Sequence, residues 1–178
     1  ELSSDCRLMN KLLRDLTDYS MSDQLTKQRS DLCNLLRRAY LSCLPLTEGT
    51  NKTLTYTSRV SCAYMPLDSP KMMEALLNLI VNALDAVSDN GSVQIILTKS
   101  NEQFVVSIID DGCGIAPKQL LTIFHPFTTT KPDGTGLGLP VAKRIIEGHG
   151  GHIRVSSAPN QGATFTFLLP CSFSSDKK

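Results

Sequence analysis

Residues 74–85 read EALLNLIVNALD. On a helix, Asn78, Asn82 and Asp85 fall four and then three residues apart and so share one face; Glu74 carries the stripe back one more turn. Met73, Leu77, Ile80, Leu84 and Val87 repeat at similar spacing on another face, which predicts a helix packed on a core. Asparagine is a poor helix former, and a solvated face ordinarily carries Lys, Glu and Gln instead. An ordinary polar surface is the plain alternative. Carboxamides aligned on a largely apolar helix are better explained by a ligand that they face.

Outward from this helix, Asp68-Ser69-Pro70 is a strong start signal, a capping residue followed by proline in the first turn. The helix is expected to end near the turn signal DNG. Upstream, a strand is expected near Leu25 to Gln28. A helix starting at Ser30 and Asp31 runs to about Leu44, stopped by Pro45, and TLTYTSRV reads as a further strand. Downstream, SVQIILTKS and QFVVSIID form a hairpin around Asn101 and Glu102. The stretch from Gly112 to about Gly136 is irregular, with three prolines, and a connection that long is expected to be either a functional lid or disordered. The helix of LPVAKRIIEGHGG and the strands GHIRVSSA and ATFTFLLP follow. At the front, Leu2, Cys6, Met9, Leu13 and Leu16 make a heptad-like seam over residues 1–20, which needs a partner to pack on. The expected architecture is α/β: an N-terminal helix, then a two-layer sandwich of about five strands and three helices, the helices on one face of one sheet.

Composition narrows the function. The chain has 178 residues, 41% hydrophobic and 20% charged, which is enough to bury a core. A formal net charge of +1 argues against a nucleic-acid surface or a polybasic membrane patch. Six cysteines without CxxC spacing, and three dispersed histidines, suggest neither a zinc site nor a disulfide framework; a reducing, cytoplasmic setting is expected. No apolar run reaches 18 residues. The opening ELSSDC, without Met or a signal pattern, leads us to expect a fragment of something longer.

Three further motifs surround the irregular stretch. QFVVSIID runs into DDGCGI, placing Asp110 where a strand enters a loop, with Gly112 and Gly114 allowing a tight turn and close approach to a ligand. Alone, this is most simply a glycine turn. KPDGTGLGLPVAKR sets Gly134, Gly136 and Gly138 before a helix, a natural cradle for phosphates on exposed N–H groups. It is neither a GxxxxGK[ST] loop nor a dinucleotide fingerprint, since Leu139 takes the third glycine position. Between them, FHPFTTTK is expected to pin the lid by burying Phe124 and Phe127, and Lys131 is placed to meet a phosphate or simply to be solvated.

In this order, NLIVNALDA, DDGCGI, FHPF and GTGLGL resemble the N box, first glycine box, F box and second glycine box of sensor histidine kinases. That family belongs to the gyrase–Hsp90–histidine kinase–MutL ATPase superfamily, with its Bergerat-type fold. The resemblance covers about residues 24–170 and is strongest to the nitrogen-regulation type. It implies ATP and Mg²⁺ as cofactors, Asn82 as the metal ligand supported by Asn78, and both as catalytic. Asp110 is then the acceptor for the adenine amino group, Gly112 and Gly114 line the pocket, and Gly134, Gly136 and Gly138 face the phosphates. Asp85, Ile115, Phe127, Lys131, Thr135 and Leu137 complete the implied nucleotide-binding set. His125 departs from the F box, which more often has an acidic residue or glutamine there, and is expected to be an exposed lid residue. Redox control at Cys113 is not expected, and His149 and His152 read as structural.

The resemblance further implies three segments: residues 1–22 as the end of a dimerisation and phosphotransfer hairpin, 23–171 as the ATP-binding domain, and 172–178 as a flexible tail. The related ATPases carry a glutamate where this chain has Asn78, and a carboxamide cannot take a proton from water. Transfer to an outside nucleophile is therefore expected over hydrolysis: a histidine on an upstream hairpin, since none of His125, His149 and His152 lies there. Homodimerisation through that hairpin and transfer to a response regulator receiver domain are the implied partnerships, in a cytoplasmic protein or the cytoplasmic part of a membrane-bound sensor. The alternatives are an ATP-hydrolysing machine of the same fold, a pseudokinase that senses nucleotide, or a serine kinase acting on an anti-anti-sigma partner.

Overall fold

Alternation of period two builds the central sheet. In β5 (Gln103–Asp110) the residues Phe104, Val106, Ile108 and Asp110 all point to the buried side. β4 (Ser92–Ser100) buries Val93, Ile95 and Leu97 on the same face, and the two strands pair antiparallel from Val93–Asp110 to Ser100–Gln103. Asn101 closes the hairpin at φ 52°, a left-handed conformation that asparagine tolerates. This computed structural model describes residues 25–131 and 134–171. The expected N-terminal helix with its seam (Leu2, Cys6, Met9, Leu13, Leu16), the tail 172–178, and Pro132 and Asp133 lie outside the described residues.

The main sheet has five strands in the order β2-β4-β5-β7-β6, with β2 (Thr53–Ser58), β6 (His152–Ser157) and β7 (Ala163–Pro170) completing it. Among the described residues only the β2–β4 pairing is parallel. A parallel neighbour needs a crossover, and the chain uses it to lay down the asparagine helix. A second, two-stranded sheet pairs β1 (Gln28–Asp31) with β3 (Tyr64–Leu67). The single sheet expected from the sequence is corrected here, as is the first strand, which begins at Gln28 rather than near Leu25. β3 carries Pro66, which reads against a strand; with β1 as its sole neighbour, that residue leaves no central ladder broken.

The helices lie over one face of the main sheet. α1 (Leu32–Cys43) is capped by Asp31, whose carboxylate accepts from the Cys33 N–H at 3.0 Å, and Pro45 enters a 3₁₀ turn at Leu44–Thr47 that ends it. α2 (Ser69–Ala86) is capped by Asp68, accepting from the Lys71 N–H at 3.1 Å. α3 (Pro117–Leu120) is a single turn in the irregular stretch, and α4 (Gly138–Gly148) follows the second glycine motif.

Because α2 packs against α1, α4 and the sheet at once, its buried arc is wide: Met72, Ala75, Leu76, Leu79, Ile80, Ala83 and Leu84. Met73 and Leu77, expected in that stripe, are only half-buried at its margin, whereas Ile80, Leu84 and Val87 are in the core. A fully buried leucine contributes about 1.5–3 kcal/mol. The core therefore fixes the rotation of α2, leaving the asparagine face turned away from it.

Candidate functional site

The first wall of the site is the end of β5. Strand alternation puts Asp110 on the core face, where it is 5% exposed. Its Oδ1 accepts from the N–H groups of Gly112 (3.0 Å) and Ala163 (3.1 Å), while Oδ2 has no partner among the described residues. Burial pushes the carboxyl above the ordinary carboxylate range, partly offset by those two N–H groups. One oxygen is thus fixed by two backbone N–H groups.

The loop after Asp110 is anchored on both sides. Cys113 N–H donates to the Ala86 carbonyl at 3.1 Å, and a methyl group added at Gly112 would lie 2.4 Å from that same oxygen, so only glycine lets the loop rest on the end of α2. Gly112 accepts from Gly162 N–H (3.0 Å), Cys113 accepts from Asn160 N–H (2.7 Å), and Ile115 N–H donates to Ser157 Oγ (2.8 Å). Asp111 grips the start of β4 through Ser92 N–H and Oγ, at 2.8 and 2.7 Å, and those bonds hold its carboxyl below the ordinary range. Ser92, Asp111, Ser157, Gly162 and Ala163 were not picked out from the sequence. The Asn160-Gln161-Gly162 turn was the available signal, but its pairing with DDGCGI is long-range.

The second wall is the polar face of α2. Asn78 and Asn82 are half-exposed and Asp85 is exposed, on the side free of the core. A methyl group at Gly138 would lie 3.5 Å from Asn78 Oδ1, which brings the start of α4 and the second glycine motif against the asparagine helix. Lys131 reaches across from the lid, its Nζ donating to Asn82 Oδ1 at 3.1 Å and Asp85 Oδ2 at 2.9 Å. Glu74 pairs with Lys71 at 3.0 Å, an i,i+3 surface pair that the site does not require.

The lid between the walls departs in part from expectation. Phe124 is half-buried, meeting Phe165 edge-on at 6.5 Å between centroids, with Lys143 Nζ 5.4 Å from its ring. Phe127 does not pin the loop: it is 62% exposed at φ 64°. Its backbone is the anchor instead, donating to Gly136 O at 3.1 Å, and a methyl group at Gly136 (φ 67°) would strike it at 2.6 Å. Leu137 is fully buried and Ile115 half-buried against the core, so both are anchors of the glycine loops. Thr135 Oγ1 accepts from Leu137 N–H at 3.4 Å, and Gly134 packs on Thr129 and Lys131. His125 and Cys113 are exposed.

The donor set fits a hard cation held together with phosphates. Asn82 Oδ1 and Asp85 Oδ2 already converge on one positive charge, the Lys131 ammonium, and uncharged or carboxylate oxygen is what Mg²⁺ takes. Among the described residues no group of three His, Cys, Asp or Glu side chains could hold a metal.

Residues 67–172 match the family described as histidine kinase-, DNA gyrase B-, and HSP90-like ATPase. The sensor histidine kinase ZraS of Salmonella typhimurium is 32% identical over 170 residues, which cover 95% of this chain and 37% of that protein. The nucleotide-free catalytic domain of histidine kinase ThkA is similar in structure, with a TM-score of 0.76 at 29% identity, over 83% of this chain and 97% of that domain. Full-length ShkA in complex with AMPPNP has a TM-score of 0.83 at 26% identity, over 94% of this chain and 36% of that one. The chain therefore spans little more than a third of the length of ZraS.

Proposed function

The chain belongs to the histidine kinase-, DNA gyrase B- and HSP90-like ATPase family, and we propose that it is the ATP-binding catalytic part of a sensor histidine kinase. In this reading it transfers the γ-phosphate of Mg-ATP to a histidine of a dimerisation hairpin, with residues 1–22 assigned to that hairpin and residues 23–171 to the catalytic domain. The observation that carries the proposal is the convergence on one helix face: the Asn82 and Asp85 oxygens sharing a cation, with Gly138 beside Asn78.

Each residue then has a task. The open oxygen of Asp110 accepts the adenine amino group, and Gly112 and Gly114, with Ile115 behind them, let the base approach backbone. The glycines at 134, 136 and 138, with Thr135, bring N–H groups to the phosphates at the head of α4. Asn82 offers its carboxamide oxygen to the metal, with Asn78 and Asp85 adjacent. When bound, Mg²⁺ neutralises charge between the phosphates. Asn78 cannot take a proton from water, which favours transfer to a histidine over the hydrolytic alternative. A homodimer joined through the hairpin, a response regulator receiver domain as next acceptor, and a cytoplasmic position belong to the same proposal. No described helix is long and apolar enough to cross a membrane.

Incubation with γ-labelled ATP tests the transfer. The chain as it stands is expected to bind Mg-ATP, label itself negligibly and release ADP slowly. A version carrying the hairpin with its histidine should become labelled, with label lost in acid and retained in base, as a phosphoramidate behaves. A tethered acceptor should outperform one added separately, because proximity supplies much of the rate. Labelling at His125, or fast hydrolysis without an acceptor, would overturn the reading.

Lys131 has a separate expected effect. Its pair with Asp85 is 42% and 53% exposed, so it is worth at most about 1 kcal/mol. Lys131→Met should therefore raise amide exchange in the nucleotide-free lid, residues 116–131, by no more than about five-fold, and should weaken Mg-ATP binding as well. Unchanged exchange with weakened binding would confine the lysine to the phosphates; no change in either would remove it from the site.

A further inference from the structure

Among the described residues, the buried polar side chains apart from Asp110 are Asp68 and His149, at 8% and 5% exposure, and they meet where the chain enters the domain. Asp68 Oδ2 accepts from Thr26 N–H at 2.8 Å, and Oδ1 accepts from Lys71 N–H at 3.1 Å as the cap of α2. The Asp68 N–H donates to His149 Nε2 at 2.9 Å, bridging 81 residues, and His149 Nδ1 lies 2.7 Å from Ile145 O in α4. A methyl group at Gly148 would come within 2.9 Å of Leu25 Cδ1, so the entering segment also rests on the end of α4.

These contacts settle the ring's protonation. A backbone N–H can only donate, so Nε2 must be a bare acceptor, and Nδ1 must then carry the proton given to Ile145 O. Only this neutral tautomer satisfies both bonds. A second proton on Nε2 would set donor against donor at Asp68.

We propose that Asp68 and His149 form a joint fastening the entering chain to the head of the helix that carries Asn78 and Asn82, and that proton uptake by the His149 ring opens it. A displacement of Thr26 would pass to the Asp68 carboxylate, and from there to the first turn of α2. The two residues are positioning residues, remote from the site itself. Among the described residues, the charged groups facing the ring are Lys27 on the entering segment and Asp68 at the helix head.

Burial is the main reason that His149 binds its proton more weakly than an ordinary histidine; Ile145 O and Asp68 oppose this, and Lys27 adds to it. The unfolded chain consequently holds the extra proton more readily. The joint's contribution to stability is full above the ordinary value of 6.5 and is lost as pH falls through the lower folded value.

Nuclear magnetic resonance on the nucleotide-free chain tests this, so the outcome is independent of the ATP-binding reading. At pH 7.5 the His149 Nε2 shift should be that of an unprotonated acceptor. On acidification, opening at the Thr26 and Asp68 amides, corrected for intrinsic exchange, should rise by up to about ten-fold per pH unit, as one-proton linkage dictates, while β5 amides hold. The side-chain amide signals of Asn78 and Asn82 should move along the same titration. In His149→Gln, whose carboxamide oxygen can accept at any pH, the response should vanish. If that variant fails to fold, the wild-type titration still decides. A protonated Nε2 at pH 7.5, or Thr26 and Asp68 amides indifferent to the titration, would overturn the joint. Asparagine signals that stay still while it opens would overturn its link to the site.

Discussion

Replacing Asn82 with alanine is expected to lower Mg-ATP affinity by about 100-fold or more while leaving the fold intact. Changes one shell beyond a metal already cost 10–100-fold, and here the proposed ligand oxygen itself is lost. Asn82 is half-exposed and outside the core cluster, and alanine is the better helix former by about 0.5 kcal/mol, so the melting temperature should hold or rise slightly. Lys131 retains Asp85 as a partner at 2.9 Å, so the lid should keep its contact with α2. Titration with ATP in the presence and absence of Mg²⁺, beside a thermal melt, separates binding from folding. A folded variant with unaltered Mg-ATP affinity would exclude the ligand role.

Gly162→Ala should be the most damaging single methyl group in the domain. At φ 69°, the new Cβ would sit 1.9 Å from the Asp110 carbonyl oxygen and 2.9 Å from Asp111 Cα, and neither backbone can yield without dragging β5 from β7. Strain of this kind costs about 3 kcal/mol or more, or about 6–12 °C in melting temperature for a domain of this size. Nucleotide binding should fall with it, because Asp110 is held by Ala163 N–H one residue away. Asp110→Asn makes the contrast. An amide oxygen can accept from Gly112 and Ala163 as the carboxylate does, and the substitution removes a buried charge whose pKa is raised. A raised folded pKa means stability present below the unfolded value and lost as pH rises through the folded one; at neutral pH the ionised carboxyl is a cost. Asp110→Asn should therefore melt no lower than wild type at pH 7, yet lose ATP and discriminate less against GTP. Melting and competition binding check both variants. An Asp110→Asn protein that melts far lower, or a Gly162→Ala protein that melts like wild type, would contradict this account of the cradle.

The sequence by itself determined what short-range periodicity controls. Helical spacing put Asn78, Asn82 and Asp85 on one face, the strand QFVVSIID put Asp110 where it enters a loop, and Asp68-Pro70 marked the head of α2. The four boxes in order were enough to point to the family. Tertiary structure alone decided which of these pieces meet. Lys131 reaches Asn82 across 49 residues, Ala163 holds Asp110 across 53, and His149 holds Asp68 across 81. Nor could spacing show that Phe127 turns outward, that Tyr64–Leu67 pairs with Gln28–Asp31 in a second sheet, or that Met73 and Leu77 lie at the margin of the core. The reason is physical. Side-chain direction along a helix or strand follows from local backbone geometry, but the register between distant segments is chosen by the joint packing of the sheet and three helices, and a pattern within any one of them does not contain it.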